Sequence, residues 1–257
     1  MPASFKTALI APFFLFSASA YAANVFESPS EPASLIELFT SEGCSSCPPA
    51  EERLSHYLDS PALWKTEVPV AYHVDYWNSS GWNDALSSPE YTQRERNYSD
   101  EWGSDTVYTP MFAVNGREFR AWPLLPAPKN TVKTQGILRA EFLGEGRWKL
   151  SYAPKTPLKQ RATIRAHAAL LGFGITSDVT GGENAGRRLR HDFAVLADAH
   201  APLKKDEQGL EIIFLLLPKP GMPAAESLGV AFWVTPDSGG EVLQATGGFL
   251  KEGKTDG

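Results

Sequence analysis

Cysteine is scarce in this chain of 257 residues: it has only Cys44 and Cys47, which stand together in a Cys-Ser-Ser-Cys unit. As a structural staple this pair has little value, because a disulfide closing about four residues contributes roughly 2 kcal/mol in the chain-entropy model. The same spacing suits thiol–disulfide exchange, in which one thiol attacks a disulfide and the second resolves the mixed intermediate. Redox chemistry is therefore the leading hypothesis for the pair.

Long apolar runs are also missing, apart from Ala8 to Ala18 near the N-terminus. Lys6 precedes this run and Ala20-Tyr21-Ala22 follows it, a pattern typical of a secretory signal peptide with cleavage after Ala22. The run is short for a membrane span, although an uncleaved anchor is the alternative. We expect residues 1–22 to be removed, leaving no integral membrane segment. The expected location is the bacterial periplasm, which permits disulfides.

Positive charge is not in excess, because 24 Lys and Arg residues face 30 Asp and Glu residues, for a formal net charge of −6. This balance argues against binding to nucleic acid or to an anionic membrane surface. Internal repeats and long low-complexity tracts are absent. The expected partner is a protein or small-molecule thiol or disulfide substrate, with no cofactor, and the oligomeric state does not follow from the sequence.

The N-terminal half alternates strand-like and helix-like segments, an order typical of α/β proteins. Helical periodicity runs from Ala50 to Leu58 after the cysteines and begins again at Ser88-Pro89. This pattern places Cys44 at a helix N-terminus, where free backbone N–H groups and the helix dipole would stabilise a thiolate. Asn115-Gly116 predicts a two-residue hairpin turn. Three apolar β-prone runs are predicted strands: Leu35–Thr40, Val68–Val74 and Met111–Val114.

Two motifs in this half resemble the thioredoxin-like superfamily. IELFTSEGCSSC is similar to the strand-turn-Cys opening of glutaredoxins, and VYTPMFAVNG resembles the strand with the cis-proline loop of thioredoxins and glutaredoxins. The resemblance implies that Cys44 is the nucleophile and Cys47 the resolving thiol. It also implies that Pro110 is a cis-proline facing the pair and that Thr109 offers its backbone to an extended thiol substrate.

The predicted fold class is therefore an α/β thioredoxin-like domain over residues 23–143, with a helical insertion at Asp75 to Asp105, followed by an all-β domain. One departure concerns the cosubstrate. Arg117 to Arg120 follow Gly116 where glutaredoxins carry a glycine-rich segment, so glutathione is not expected.

A closer resemblance covers nearly the whole mature chain. FTSEGCSSCPPAE, HVDYWNSSGWND, SSPEYTQRERNY and TGGENAGRRLRHDF together look like the exported family called domain of unknown function 1223. This resemblance implies export and a thioredoxin-like part, and it brings no assigned reaction.

The C-terminal half, residues 144–257, predicts a small antiparallel β-sandwich because short β-prone runs alternate with turns. The segment Val132 to Leu143 before it is predicted as a helix. The glycine-rich loop Gly172 to Arg190 is interpreted either as an anion-binding or partner-contacting loop or as a solvated hairpin loop. The strand candidates are Trp148–Tyr152, Ala162–Leu171, His191–Ala197, Leu210–Leu217, Leu228–Thr235 and Val242–Leu250.

Two further residues are candidates for a proton relay to the cysteines. His73 closes the second predicted strand, and Glu37 lies beneath the Cys turn, from which it could assist deprotonation of Cys47. A hydrogen-bonded structural histidine and a simple strand acid are the alternatives. Three tryptophans are interpreted either as an aromatic wall over the disulfide or as packing residues: Trp77, Trp82 and Trp102.

Three functions remain open at this point. The leading one is an exported thiol–disulfide oxidoreductase, with Cys44 and Cys47 as catalytic residues and no metal ligands. The second is a non-catalytic periplasmic binding or interaction protein in which the pair stays oxidised. The third is a zinc or copper(I) binding protein that uses thiolates and imidazoles. Its ligands would be Cys44, Cys47, His56 and His73.

Overall fold

The computed structural model describes residues 24–132, 136–156, 163–205, 209–218 and 221–251. The predicted signal peptide and its cleavage site lie outside these ranges. Strands account for 43% of the structure and helices for 13%, so the protein is mostly β. Among the described residues, no helix is both long and apolar enough to cross a membrane.

Two α-helices and fifteen strands are present in the described ranges. Helix α1 spans Pro48–Ser55 and helix α2 spans Pro89–Glu101. The strands in chain order are β1 (Val25–Glu27), β2 (Ser34–Thr40), β3 (Glu67–His73), β4 (Met111–Val114), β5 (Arg117–Glu118), β6 (Gly136–Gly144), β7 (Arg147–Pro154), β8 (Ile164–Phe173), β9 (Ile175–Asp178), β10 (Arg188–His191), β11 (Ala194–Pro202), β12 (Lys204–Lys205), β13 (Leu210–Leu215), β14 (Ser227–Pro236) and β15 (Gln244–Phe249).

Most of these strands belong to two sheets. The larger sheet has eight strands in the order β15-β14-β8-β11-β3-β2-β4-β5, and the smaller has five in the order β1-β6-β7-β13-β12. Strands β9 and β10 form a separate antiparallel pair. Within the larger sheet β2 and β3 run parallel, with Thr40 opposite His73, whereas β4 runs antiparallel to β2.

The larger sheet joins the N-terminal strands to the C-terminal ones at a single seam. Strand β11 pairs parallel with β3, with Ala194 opposite Ala71, and antiparallel with β8 on its other side. Strand β3 is buried along nearly all its length. A strand with apolar residues on both faces is typical of the centre of a sheet, so β3 requires a neighbour on each edge.

The predicted fold class is wrong. The structure is not a thioredoxin-like α/β fold with a helical insertion followed by a separate sandwich, because β8, β11, β14 and β15 extend the sheet that contains β2 and β3. Local periodicity identified most of these strands, but it carries no information about which strand pairs with the free edge of β3. The division of the chain at residues 143 and 144 stays a prediction.

The helix predicted over Val132 to Leu143 is also wrong, since Gly136–Gly144 is strand β6. Leu138 and Ala140 are buried in this strand while Arg139 between them is exposed, which is the alternation of a strand with one buried face. Strand β6 continues into β7 through a tight turn and pairs with it antiparallel.

Two apolar cores result from this arrangement. One lies between the two large sheets, where Trp148 of β7 packs on Phe232 of β14 with ring centroids 5.1 Å apart. The other holds α1 and α2 against the N-terminal strands, with Leu54 of α1 and Tyr91 of α2 buried. Strands β2 and β3 are therefore buried on both faces, and the Cys turn follows directly after β2.

Candidate functional site

The two cysteines form a disulfide directly before helix α1. The helix begins at Pro48 with Cys47 as its N-cap, so Cys44 lies in the preceding turn and not in the helix itself. Proline is tolerated in a first helical turn, but Pro48 and Pro49 carry no backbone N–H. The next two N–H groups, of Ala50 and Glu51, both donate to the carbonyl of Cys47. Free donors for a thiolate, expected from the sequence, are therefore not supplied by these four residues.

Thr109 lies beside the disulfide. Its carbonyl oxygen is 3.8 Å from Cys44 Sγ, and the Thr109–Pro110 peptide bond is cis. Trp77 fixes this segment, since its Nε1 donates to Thr109 Oγ1 at 2.8 Å. The structure thus brings Thr109 to the cysteines across a long stretch of chain, while a substrate role for Thr109 and Pro110 stays a prediction.

The disulfide is covered in this conformation. Cys44 is 1% exposed and Cys47 is 0% exposed, although Ser45 and Ser46 between them are open to solvent. An incoming thiolate must reach a sulfur atom along the S–S axis, so attack on this pair requires a local movement of the residues around it.

The loop between β9 and β10, residues 179–187, which we name the strap, lies against the Cys turn. Asn184 is fully buried, and its Nδ2 donates to the carbonyls of Glu42 at 2.9 Å and Cys44 at 2.8 Å. The carboxylate of Glu183 accepts from the backbone N–H of Ser45 at 3.0 Å and from its hydroxyl at 2.7 Å. These hydrogen bonds lower the pKa of Glu183. The strap therefore clamps the Cys turn from outside.

Two glycines allow the strap to approach so closely. A side chain on Gly181 would collide with the carbonyl of Gly81, and Gly182 has a positive φ of 68°. The loop prediction for Gly172 to Arg190 offered an anion or partner loop and a solvated hairpin. The structure shows that residues 179–187 contact the Cys turn. The motif TGGENAGRRLRHDF marks a glycine-rich loop, but nothing in the sequence indicates that this loop contacts the Cys turn.

A buried cluster of ionisable side chains adjoins the same turn, and we name it the histidine–carboxylate cluster. None of its members is more than 7% exposed. They come from the Cys turn, helix α1, the end of β3, the segment after it and the end of β10: Glu42, Glu51, His73, Asp84 and His191. Sequence reasoning identified only His73 of these five as a candidate.

Each histidine of the cluster is held by a carboxylate. His73 Nδ1 lies 2.7 Å from Asp84 Oδ2, and His191 Nε2 lies 3.0 Å from Glu42 Oε1. His191 Nδ1 makes a short hydrogen bond with Glu51 Oε2. His73 Nε2 differs from the other three ring nitrogens because it is buried without a hydrogen-bond partner.

The electrostatics of the cluster favour charged side chains despite their burial. Desolvation acts to lower the pKa of His191, but Glu51 and Glu42 outweigh it and raise that pKa to about 10. Desolvation likewise opposes a charged His73, yet Asp84 raises its pKa above the ordinary value. For Glu51 and Asp84 burial acts to raise the pKa, and the histidines outweigh it and lower both values.

The register of the sheet explains how these residues meet. Thr40 and His73 are paired across parallel strands β2 and β3, so their side chains point to the same face. Helix α1 covers that face, and Thr40 Oγ1 donates to Glu51 Oε1 at 2.6 Å. Strand β11 enters beside β3 and brings His191, which lies just before it, next to His73 with ring centroids 4.9 Å apart.

Glu37 lies on the opposite face of β2 from Thr40, because the two residues are an odd number of positions apart. Its Oε1 accepts from Arg94 Nε at 2.7 Å, and its other oxygen accepts from the Tyr98 hydroxyl in a short hydrogen bond. Helix α2, not the Cys turn, thus engages this carboxylate. The relay role of Glu37 stays a prediction, with both of its oxygens committed elsewhere.

The three predicted tryptophans separate into two groups. Trp82 joins Trp77 near the Cys turn, since its Nε1 donates to Glu42 Oε2 at 2.6 Å. Trp102 stacks on Tyr98 at the end of α2 and donates to the carbonyl of Gly116 at 3.0 Å. Two of the three therefore lie beside the Cys turn.

Fold and site together define a mostly β protein with a covered Cys-Ser-Ser-Cys disulfide, a clamping strap and a buried histidine–carboxylate cluster. The chain belongs to the DUF1223 family, described as a protein of unknown function, whose model matches residues 35–234. The predicted resemblance to this family is confirmed, whereas membership of the thioredoxin-like superfamily is not. No curated protein matches the chain.

Two solved structures are similar to this chain. The X-ray crystal structure of protein AGR_C_4864 from Agrobacterium tumefaciens has a TM-score of 0.57 and 22% identity, covering 89% of this chain and 100% of that one. HBP35 of Porphyromonas gingivalis has a TM-score of 0.53 and 14% identity, covering 88% of this chain and 77% of that one. At these identities the likeness concerns the fold alone.

Proposed function

We propose that the protein is an exported thiol–disulfide oxidoreductase whose redox centre is the Cys44–Cys47 pair. The observation that carries the proposal is the position of Cys44 Sγ, 3.8 Å from the backbone carbonyl of Thr109. A thiol that forms and breaks disulfides with other molecules needs backbone groups nearby to align the incoming chain, and Thr109 offers one. The periplasmic location is part of the proposal, because that compartment permits disulfides.

The reaction is a reversible exchange. The Cys44 thiolate attacks one sulfur of a substrate disulfide, whose S–S bond breaks as one substrate thiolate leaves and takes a proton. The Cys47 thiolate then attacks the Cys44 sulfur of the mixed disulfide and releases the second substrate thiolate. Two electrons and two protons pass from the pair to the substrate, and a partner dithiol regenerates the pair by the reverse exchange.

The surroundings of the pair favour electron donation to substrate. A strongly oxidising pair requires a stabilised thiolate. Here the helix start has two prolines, and the carboxylate of Glu183 accepts from Ser45 within the Cys turn. Both features disfavour a thiolate, so the disulfide is the preferred form. We expect a reduction potential between about −200 and −300 mV, more reducing than that of strongly oxidising dithiol proteins.

Trapping of the mixed disulfide tests the proposal. Cys47→Ser removes the resolving thiol, so we expect a disulfide-linked adduct with a peptide disulfide through Cys44. The matched variant Cys44→Ser keeps one thiol in the same turn and is expected to trap much less. Equal trapping by both variants, or none by either, would contradict the proposal.

A second function is favoured by the cover over the pair. With both cysteines buried and Asn184 bonded to the turn, the disulfide also suits a non-catalytic binding protein in which it stays oxidised. That function predicts a potential below about −300 mV, the range of structural disulfides. It also predicts that the reduced pair reduces a peptide disulfide no faster than the same concentration of a free dithiol does.

A further inference from the structure

The unpaired nitrogen of His73 calls for an explanation. The side chain is 1% exposed, Asp84 holds its Nδ1, and its Nε2 has no hydrogen-bond partner. Buried polar atoms in native proteins are nearly always satisfied, and an exception points to a missing water, an ion or a functional role. A ring nitrogen that is fixed in direction and left unpaired can bind a metal ion once it has lost its proton.

Two other ligands lie within reach of His73. One ligand atom from each of Glu51, His73 and His191 lies within 4.8 Å of the other two, and all three residues are buried. Metal–ligand bonds of about 2.0–2.2 Å place two ligands no more than about 4 Å apart. An ion would take the place of the hydrogen bond between His191 Nδ1 and Glu51, so these two atoms would move apart, and no pair of ligand atoms would need to approach by more than about an ångström.

The groups behind these ligands match those of a metal centre. Metal-binding histidines usually donate the second ring N–H to a carboxylate, which fixes the tautomer and the ring direction. Asp84 is the carboxylate that pairs with the second ring nitrogen of His73, and Glu42 is the one that pairs with that of His191. The third ligand is held in the same manner, because Thr40 Oγ1 donates to Glu51 Oε1 at 2.6 Å.

The charge balance of the cluster also fits a divalent cation. Three carboxylates and two protonated imidazoles leave one uncompensated negative charge in a buried site. A divalent cation that replaces the two imidazole protons leaves the same net charge, with the imidazoles neutral as ligation requires. We propose that Glu51, His73 and His191 form a site for a divalent transition-metal ion, with zinc as its best-fitting occupant.

Two imidazoles and one carboxylate form the ligand set of several zinc sites that keep a fourth position open. Copper(I) fits less well because it prefers thiolate or thioether ligands. The proposed set shares only His73 with the four ligands predicted from the sequence. Cys44 and Cys47 are joined in the disulfide, and His56 is exposed just after α1.

The test uses metal-free, oxidised wild-type protein, so that no thiolate is available. We expect calorimetric titration with ZnCl₂ to give one equivalent bound, and CoCl₂ to give visible d–d absorption. Zinc should also raise the thermal midpoint, since an ion that binds only the folded state stabilises it by mass action. The absence of one-to-one binding by the wild type would overturn the proposal.

Variants locate the ion. Glu51→Gln keeps the size of the side chain and its oxygen for Thr40, but removes the anionic ligand. Asp84→Asn leaves all three ligands and is expected to lower zinc affinity by about 10–100-fold. We expect Glu51→Gln and His73→Ala to lower it at least as much, whereas His56→Ala, at an exposed position, leaves it unchanged. Circular dichroism checks that each variant is folded. If His73→Ala does not fold, the zinc affinity of Glu51→Gln decides the test.

The outcome is separable from that of the proposed redox function. A Cys44→Ser/Cys47→Ser double variant has no redox centre, and it should bind zinc with wild-type affinity if the site is Glu51, His73 and His191. Loss of binding in this variant, or wild-type affinity in both Glu51→Gln and His73→Ala, would place the ion elsewhere and overturn the proposal.

Discussion

The two faces of strand β2 carry buried charge of two different kinds. On the α2 face, Glu37 has both oxygens engaged, one by Arg94 and the other by Tyr98. The Arg94 guanidinium in turn lies 5.2 Å from the ring centroid of Tyr72 and 5.3 Å from that of Trp233. On the α1 face, the histidine–carboxylate cluster has more carboxylates than imidazoles and leaves His73 Nε2 unpaired.

This contrast separates a structural ion pair from a candidate site. The Glu37–Arg94 pair is balanced in charge and surrounded by aromatic rings, so it needs nothing more from outside. The cluster on the α1 face is unbalanced, and the strap and the Cys turn border it. Burial and charge alone would have ranked the two alike; what distinguishes them is that both oxygens of Glu37 are paired, whereas His73 Nε2 is not.

The largest expected effect comes from breaking the balanced pair. Arg94→Met leaves the carboxylate of Glu37 buried without its counter-charge, and we expect a loss of about 3–5 kcal/mol in the free energy of unfolding. Urea denaturation of the oxidised protein measures it. Arg96→Met, at an exposed position of the same helix, should change stability by less than about 0.5 kcal/mol. A Glu37→Leu/Arg94→Met double variant should regain most of the loss, and a near-wild-type Arg94→Met would contradict the structural role.

The second effect concerns the strap on the α1 face. Asn184→Ala removes the donor to two buried carbonyls, of Glu42 and Cys44, and should lower stability by about 1–3 kcal/mol. Because the strap holds the Cys turn through these hydrogen bonds, reduction of the disulfide by dithiothreitol should also become faster. Asn97→Ala, at an exposed position of α2, is the control for both measurements. An unchanged reduction rate in Asn184→Ala would show that the strap does not limit access to the disulfide.

The third effect is a pH dependence on the α2 face. Burial raises the pKa of Glu95 from 4.5 to about 7, outweighing its hydrogen bond from the backbone of Tyr108. The folded state therefore binds a proton more tightly than the unfolded state, so this contribution to stability is complete below pH 4.5 and is lost as pH rises through about 7.

Glu95→Gln removes the titrating group and should flatten this dependence. We expect the variant to be more stable than wild type at about pH 8 and similar to it at about pH 4, measured as urea midpoints. Asp100→Asn, at an exposed position of α2, should keep the wild-type slope. A variant with the same pH slope as wild type would assign the dependence to other groups.

The smallest expected effect is at the rim of the strap. Glu183→Gln keeps an oxygen that accepts from Ser45, and both side chains are exposed, so stability should hardly change. The rate at which the disulfide is reduced is a more sensitive measure than stability, because the Glu183 carboxylate repels an incoming thiolate. Reduction by an anionic thiol should be faster in Glu183→Gln at low ionic strength, and the difference should fade at high salt. Glu145→Gln, in the β6–β7 turn, should reduce at the wild-type rate under both conditions.

Several local elements were predictable because local chemistry fixes them. The strand Met111–Val114 is confirmed, as is the hairpin turn after it, where Asn115 and Gly116 both have positive φ. Helices after the cysteines and after Ser88 are confirmed in place. In the C-terminal half, the predicted run Leu228–Thr235 lies inside β14.

The site was predictable only in part. Cys44, Cys47, Thr109 and His73 were identified from motifs and strand ends. Asn184 was not, since it contacts Cys44 across 140 residues of sequence, and no periodicity in either segment records that contact.

The sequence by itself therefore determined the chemistry present, the cysteine pair and many of the strands and turns, because each depends on residues close in the chain. The tertiary structure alone decided that β11 pairs with β3, and with it that His191 meets His73 and Glu51. The physical reason is that strand pairing is selected by burial of whole faces and edges. Such selection acts between distant segments, and it placed an unbalanced cluster on one face of β2 and a balanced ion pair on the other.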